Sequence, residues 1–234
     1  MAKHGKKYLE AAKKVETGKH YSLDEAVKLL KEITFTKFNE TVELHARLGI
    51  DPRQSDQNIR TTVLLPAGLG KTVRVLVFAE GEAARIAEGA GADFVAGDEM
   101  IAKIRSDEWT EFDVSIAVPD MMRKVSPLGK ILGRKGLMPN PKAGTVVPPE
   151  DLPRAINEAR AGRVEFRNDK TGNLHIPVGK IAFTEEQILE NLNAVIEAIK
   201  RAKPASAKGI FVKRLVLTST MTPPIRLDAG IILS

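Results

Sequence analysis

The sequence predicts an α/β protein of two domains, one inserted into the other. Three observations carry this. Strand-like segments near both ends alternate apolar and polar residues, whereas those in the middle are short, apolar and interleaved with short helices. Charge divides along the same lines. Residues 67–158 hold 12 basic and 14 acidic side chains, and the rest of the 234 residues hold 24 and 16. The rhythm changes near Pro66 and again near Gly162. The expected division is an outer domain of residues 1–66 and 160–234 around an inner domain of residues 67–159.

The elements follow in order. Residues 1–20 read as a basic arm, with Lys3, Lys6, Lys7, Lys13, Lys14 and Lys19 against Glu10 and Glu16. Ser22 with Glu25 forms a capping box, and Leu23, Ala26, Val27, Leu30 and Ile33 follow at helical spacing. ETVELHARLGI sets Val42, Leu44, Ala46, Leu48 and Ile50 on one face and Glu43, His45 and Arg47 on the other, a half-buried strand. DPRQSDQNIR is turn chemistry, and TTVLLP reads as a returning strand. From residue 67, KTVRVLVFA, DFVAG and FDVSIAVPD are strands separated by the helical GEAARIAEGAGA and DEMIAKIRS. PLGKILGRKG is a short glycine-marked helix, LMPNPKAGTVVPPED a loop, and DLPRAINEARAG a further helix. This alternation predicts a small, doubly wound parallel sheet of three or four strands. Beyond Gly162, RVEFRNDKTGNLHIPVG reads as a hairpin with its turn at Asp169–Gly172. Thr184 caps the strongest helix, whose stripe is Ile188, Leu192, Val195, Ile196 and Ile199, with Pro204 just past its end. GIFVKRLVLTSTM is a β-branched strand. The tail IRLDAGIILS carries no readable signal.

Composition excludes several classes. With 43% apolar and 28% charged residues the chain is neither disordered nor collagen-like. No apolar run approaches the roughly 20 residues that cross a bilayer, and no secretory signal opens the chain. The absence of cysteine removes disulfides, thiolate metal sites and thiol nucleophiles, and fits a reducing, cytoplasmic setting. A net charge of +6 and a pI near 9.4 fit a polyanion partner. Soluble proteins without such a partner carry similar charge.

Catalytic signals fail on inspection. PAGLGKT lacks a phosphate loop's first glycine, since Leu65 stands where it belongs, and it leads into a strand rather than a helix. Gly129, Gly133 and Gly136 do not form a dinucleotide fingerprint. His4, His20, His45 and His175 lack helical metal-ligand spacing. No catalytic residues, metal site or cofactor are nominated. A nucleotide-binding enzyme built on the middle domain remains the alternative, with Gly81 the single glycine in the turn after its first strand.

Three segments suit RNA instead. In TKFNETVE, Lys37 offers a phosphate contact, and Phe38 reads either as a stacking face or as a core residue. In RVEFRNDKTG, Arg163, Arg167 and Lys170 read either as an RNA-facing edge or as a solvated hairpin. In LTSTMT, hydroxyls flank Met221, which is able to pack on a sugar or base. In the middle, Arg123, Lys124, Lys130, Arg134, Lys135 and Lys142 cluster in one stretch, either an anion-facing patch or a solvated loop.

LGRKGLMPNPKAGT and EFRNDKTG, with AKHGK, GIDPRQSDQNIR, GLGKTVRVLVFA, GADFV and LTSTM, resemble the bacterial large-subunit ribosomal protein L-one family over the whole chain. The resemblance implies a split α/β RNA-binding domain, an α+β sandwich built from both termini, with an inserted Rossmann-like three-layer α/β domain. It implies a non-enzymatic protein of the large ribosomal subunit that binds rRNA and forms the mobile stalk. It further implies help in releasing deacylated exit-site tRNA, repression of its own operon through an mRNA site, and a monomer when free. Carried over to this chain, the rRNA contacts fall on Lys37, Phe38, Glu40 and Thr41, with Arg167, Asp169 and Lys170 nearby, and on Thr220 and Met221. The tRNA side falls on the basic stretch from Arg123 to Lys142. The family usually has glycine after the Thr-Met pair, where this chain has Thr222 followed by two prolines.

Overall fold

The computed structural model describes residues 4–230. Lys3 of the expected basic arm and the last four residues of the tail lie outside these. The elements are α1 (Lys6–Lys14), α2 (Leu23–Ile33), β1 (Thr41–Leu48), β2 (Arg60–Leu64), β3 (Val75–Phe78), α3 (Glu82–Gly89), β4 (Phe94–Ala96), α4 (Asp98–Asp107), β5 (Val114–Ala117), α5 (Met122–Val125), α6 (Gly129–Leu132), α7 (Leu152–Ala161), β6 (Arg163–Arg167), β7 (Asn173–Lys180), α8 (Glu185–Arg201), β8 (Val212–Ser219) and β9 (Ile225–Leu227). The chain forms two compact units. The inner one is Lys71–Arg163, and the outer one is the chain up to Gly70 and from Val164 onward. Both crossings fall four residues later than the sequence pattern predicts. Counted at these crossings, the inner unit carries 14 basic and 14 acidic side chains, so the whole excess of +6 belongs to the outer unit.

In the outer unit, an antiparallel four-stranded sheet runs β7-β1-β8-β9. Alternation along β1 buries Val42, Leu44, Ala46 and Leu48 against α2 and α8 and leaves the opposite face polar. Both helices start on the expected caps. The Ser22 hydroxyl accepts from the Glu25 N–H, and the Thr184 hydroxyl accepts from the Gln187 N–H, each with the reciprocal side-chain bond. Pro177 sits in β7 at an edge of the sheet, where a missing donor is tolerated, and opposite it β1 shifts register between Val42 and Glu43. Gly70 adopts φ +66, and a side chain there would press into the Phe183 ring, so the glycines of PAGLGKT belong to a packed turn.

Several expectations change. The hairpin over residues 163–179 does not form. Its turn is present, but β6 pairs with β2 while β7 pairs with β1. Asn168 claims β6 for β2, because its N–H donates to the Ile59 carbonyl at 3.1 Å and its Oδ1 accepts from the Ile59 N–H at 2.7 Å. TTVLLP is a strand as expected, and its partner is β6. The basic arm contains a helix, α1, which buries only Ala11. The tail supplies β9, tied to Tyr21 by two backbone hydrogen bonds of 2.9 and 3.0 Å.

The inner unit has a parallel sheet of order β4-β3-β5. All four residues of the central β3 are buried. Val75 and Val77 pack with α3 and α7, whereas Leu76 and Phe78 pack with α4, α5 and α6. Helices therefore cover both faces, giving three layers. The possible fourth strand shrinks to one bridge, between Val146 and Ala117.

Candidate nucleic-acid interface

At the start of β1 and the end of β8 the chain builds a small polar core beneath two exposed apolar side chains. Glu40 is fully buried. One of its carboxylate oxygens accepts from the Thr36 hydroxyl. The other accepts from the Ser219 hydroxyl and from the Met221 backbone N–H at 3.2 Å. Glu40, expected as a direct RNA contact, is instead closed off from the surface, with both carboxylate oxygens bonded within the protein. It is the anchor on which both flanking loops hang. Above it Phe38 is 54% exposed and Met221 50% exposed. That settles the alternatives for Phe38 against the core. Lys37 and Thr220 are exposed beside them. Thr41 ties the loops together, since its N–H donates to the Thr220 hydroxyl at 3.2 Å and its own hydroxyl accepts from Lys180 at 2.8 Å.

Arg167, Asp169 and Lys170 do not lie near this group. Thr41 pairs with Lys180, whereas Arg47 pairs with Asn173, so the Asp169 loop lies at the far end of the β1–β7 ladder. At about 3.4 Å per residue the separation along β1 is about 20 Å. Arg167 and Lys170 point to solvent. The Asp169 carboxylate is spent on its own turn. It accepts from the N–H groups of Thr171 and Asn173 at 2.8 and 2.7 Å, from the Thr171 hydroxyl, and from the Asn173 amide at 3.0 Å. Desolvation alone would raise its pKa. The bonds from Asn173 and Thr171 outweigh it and hold the carboxyl well below the usual carboxylate range. Asp169 therefore shapes the loop that presents Arg167 and Lys170.

Between the two ends, the polar face of the sheet carries residues that sequence reasoning passed over as a site. His45 and His175 stand opposite each other with their Nδ1 atoms 2.8 Å apart, within hydrogen-bonding distance. Arg47 lies opposite Arg214. Alternation placed His45 on the polar face, but only strand pairing, which is not local in sequence, brings these partners together. Burial and then the neighbouring His175 lower the His45 pKa, and Glu43 offsets part of this. A lowered histidine pKa means that the unfolded chain takes up the proton more readily. Stability is therefore lost as pH falls through the ordinary histidine value near 6.5. In denaturant titrations from pH 7 to 5, the outer unit of the wild type is expected to lose more stability than that of His45→Gln. Equal losses would remove the pair as the source.

The chain matches the ribosomal protein L1p/L10e family over residues 30–223. It is 58% identical over 228 residues to the large ribosomal subunit protein uL1 of Chloroflexus aggregans, covering 97% of this chain and 96% of that one. The uL1 proteins of Thermomicrobium roseum and Persephonella marina are 56% and 52% identical, covering 98% and 97% of this chain and 95% of each relative. The chain belongs to the ribosomal protein L1p/L10e family.

Seen as a member of the L1p/L10e family, the chain shows how it does without a glycine after Thr220-Met221. Thr222 has ordinary backbone geometry, since Glu108 is the one non-glycine residue with positive φ among those described. Its hydroxyl accepts from the Ser219 N–H at 2.9 Å and lies 3.0 Å from the Ser219 hydroxyl. Its carbonyl accepts from the Thr218 hydroxyl at 3.2 Å. A side chain thus closes the turn on the Glu40 network.

All six cations of the inner basic stretch are exposed. Lys124 bridges Glu80 at 2.6 Å and Asp98 at 2.8 Å. Arg134 donates to the Lys130 carbonyl at 2.8 Å, and Lys135 donates to the Thr110 hydroxyl. Among the described residues, the side chains of Arg123, Lys130 and Lys142 make no hydrogen bond or ion pair. The Lys124 bridge also bears on the nucleotide alternative. Glu80 and Asp98 stand just past the carboxyl ends of β3 and β4, where doubly wound folds take ligands. Two carboxylates sharing one ammonium there oppose a phosphate. The L1p/L10e family is structural rather than enzymatic.

Proposed function

We propose that this chain, as a protein of the large ribosomal subunit, binds folded rRNA through the end of the outer sheet that carries Lys37, Phe38, Thr41, Thr220 and Met221. The observation that carries this reading is the Glu40 network. A fully buried carboxylate holds two loops so that a large aromatic and a methionine stay exposed. Exposed apolar side chains on a rigid polar base suit stacking on unstacked bases and packing on ribose. Lys37 and Lys180 supply phosphate contacts beside them. Like-sign excess confined to the outer unit supports the same assignment.

The test is a salt titration of binding to a stalk fragment of large-subunit rRNA, with a scrambled helical RNA of equal length as control. Binding to the stalk fragment persists at salt concentrations that release the control. Met221→Asp weakens stalk binding by at least about 2 kcal/mol, because a carboxylate enters a desolvated contact. Phe38→Ala costs about 1–3 kcal/mol of binding, the worth of one stacked base, and leaves the melting temperature unchanged. Equal binding of both RNAs would leave only a generic basic surface. Unchanged affinity in both variants would move the site elsewhere.

We infer two further roles from the resemblance to the family. Repression of the chain's own operon would use the same face, so an mRNA fragment carrying that site competes with the rRNA fragment. Release of exit-site tRNA would use the inner unit, where Arg123, Lys130 and Lys142 are free for phosphate. The free protein is read as a monomer.

A further inference from the structure

We infer that a second basic groove on the outer unit, between the end of α8 and the β8–β9 edge, is a track for an RNA phosphate backbone. The inference rests on the RNA-binding reading and adds a surface to it. The groove is about 900 Å³ in volume. Lys200, Lys203, Lys213, Arg214 and Arg226 line it, and Asp228 is the only acid among the lining residues. All five cations are exposed. None makes an ion pair among the described residues. Phe211, Val212 and Leu227 form an apolar floor, and Ile210, 75% exposed, stands on the rim.

Helix electrostatics accounts for part of this charge. Lys200, in the last turn of α8, complements the partial negative charge of the helix end. It does not account for the strands. Arg214 stands directly opposite Arg47, and like charges paired across strands destabilise a sheet. The β8–β9 register continues toward Asp228 across from Arg214, yet Asp228 is the one carboxylate lining the groove against five cations, so most of its positive charge is left for an outside anion. A single small anion needs a closed site with buried donors, and this groove is open and its cations exposed. A run of cations along a groove fits a run of phosphates.

The groove lies at the opposite end of β8 from Met221. Seven residues separate Val212 from Ser219, about 24 Å at strand spacing. Lys213 and Arg214 also line the shallow cleft beside His45, Arg47 and His175. The basic surface is therefore continuous from the groove onto the polar face of the sheet. An RNA docked at Phe38 and Met221 has its backbone carried across this face into the groove. The groove supplies affinity and orientation, and the Phe38–Met221 end supplies recognition.

The test uses the full chain and two variants, the double variant Lys203→Gln/Arg226→Gln and the single variant Met221→Asp. Each is titrated with the stalk fragment and with the scrambled RNA over a range of salt. The double variant binds the stalk fragment about tenfold more weakly at low salt. Its plot of log affinity against log salt is shallower by about 1–2, the slope that two lost phosphate contacts remove. Its preference for the stalk fragment over the scrambled RNA stays at the wild-type ratio, and its melting temperature is unchanged. Wild-type affinity and slope in the double variant, with Met221→Asp impaired, would overturn the groove and leave the RNA reading standing. That is also the result expected if the groove were built for an acidic protein segment. A wild-type chain that does not distinguish the two RNAs would overturn the reading on which the groove depends.

Discussion

Glu40→Ala lowers the stability of the outer unit by about 3 kcal/mol, the scale expected when a buried, hydrogen-bonded group is removed and its partners are stranded. The same change weakens rRNA binding at least tenfold. The two effects have one cause. Glu40 accepts from Thr36, from Ser219 and from the Met221 N–H, and among the described residues no basic side chain makes an ion pair with it. Alanine removes the acceptor of the Met221 N–H and leaves the Ser219 hydroxyl with Thr222 alone as its acceptor. It also frees the loop that positions Met221 and the loop that positions Phe38. Glu40→Gln separates geometry from charge. Its amide oxygen serves Ser219 and Met221, and its NH₂ turns to the Thr36 hydroxyl, which accepts as readily as it donates. Gln therefore keeps most of the stability and most of the affinity that Ala loses. The readouts are chemical denaturation followed in the outer unit and titration with the stalk fragment. RNA affinity unchanged in Glu40→Ala would show that the loops hold their shape without the carboxylate. The buried anchor would then lose its functional meaning.

The sequence announces what is local. α2 and α8 are legible because a capping box opens each and an apolar stripe follows. β1 is legible from its alternation, and β3, β4 and β5 from short apolar runs between helices. Partnership is what the sequence conceals. β6 and β7 follow one another across a genuine turn, yet Asn168 and the buried Val164 and Phe166 commit β6 to β2. That pairing spans more than a hundred residues and leaves no periodic trace. α1 was passed over because a helix burying one alanine shows no stripe, and β9 because three residues show no alternation. The candidate site divides in the same way. Lys37, Phe38, Thr41, Thr220 and Met221 flank the buried Glu40 at one end of the sheet. Arg167, Asp169 and Lys170 do not join them, because register places them at the other end of the ladder. Glu40 reads as a surface carboxylate in a polar segment. Only the packing of Ser219 and Thr36 over it reveals a buried one.

A polar residue hidden in the α8 stripe sets up the second large effect. Asn191 lies beside Leu192 on the packed face and is fully buried. Its Nδ2 donates to the Gly68 carbonyl at 2.9 Å and to the Val178 carbonyl at 2.7 Å. Its Oδ1 accepts from the Ala67 N–H at 3.0 Å. One side chain thus fastens the segment that leads out of the outer unit to both α8 and β7. Asn191→Leu has nearly the same volume and strands all three backbone groups. At about 1–3 kcal/mol for each unsatisfied group, with partial relief from water at Gly68, the expected loss is about 4 kcal/mol. Asn191→Asp is expected to lose more, since it sets a carboxylate oxygen against two carbonyl oxygens with no donor to offer. Hydrogen exchange locates the damage. The Ala67 amide, whose acceptor is Oδ1, exchanges faster in Asn191→Leu under conditions where β1 and β8 amides stay protected. A loss below about 1 kcal/mol with Ala67 still protected would mean that Phe183 packed on Gly70 holds the crossing by itself. In that case the amide would be a satisfied passenger of the core, and its burial would reflect room in the α8 stripe rather than a task.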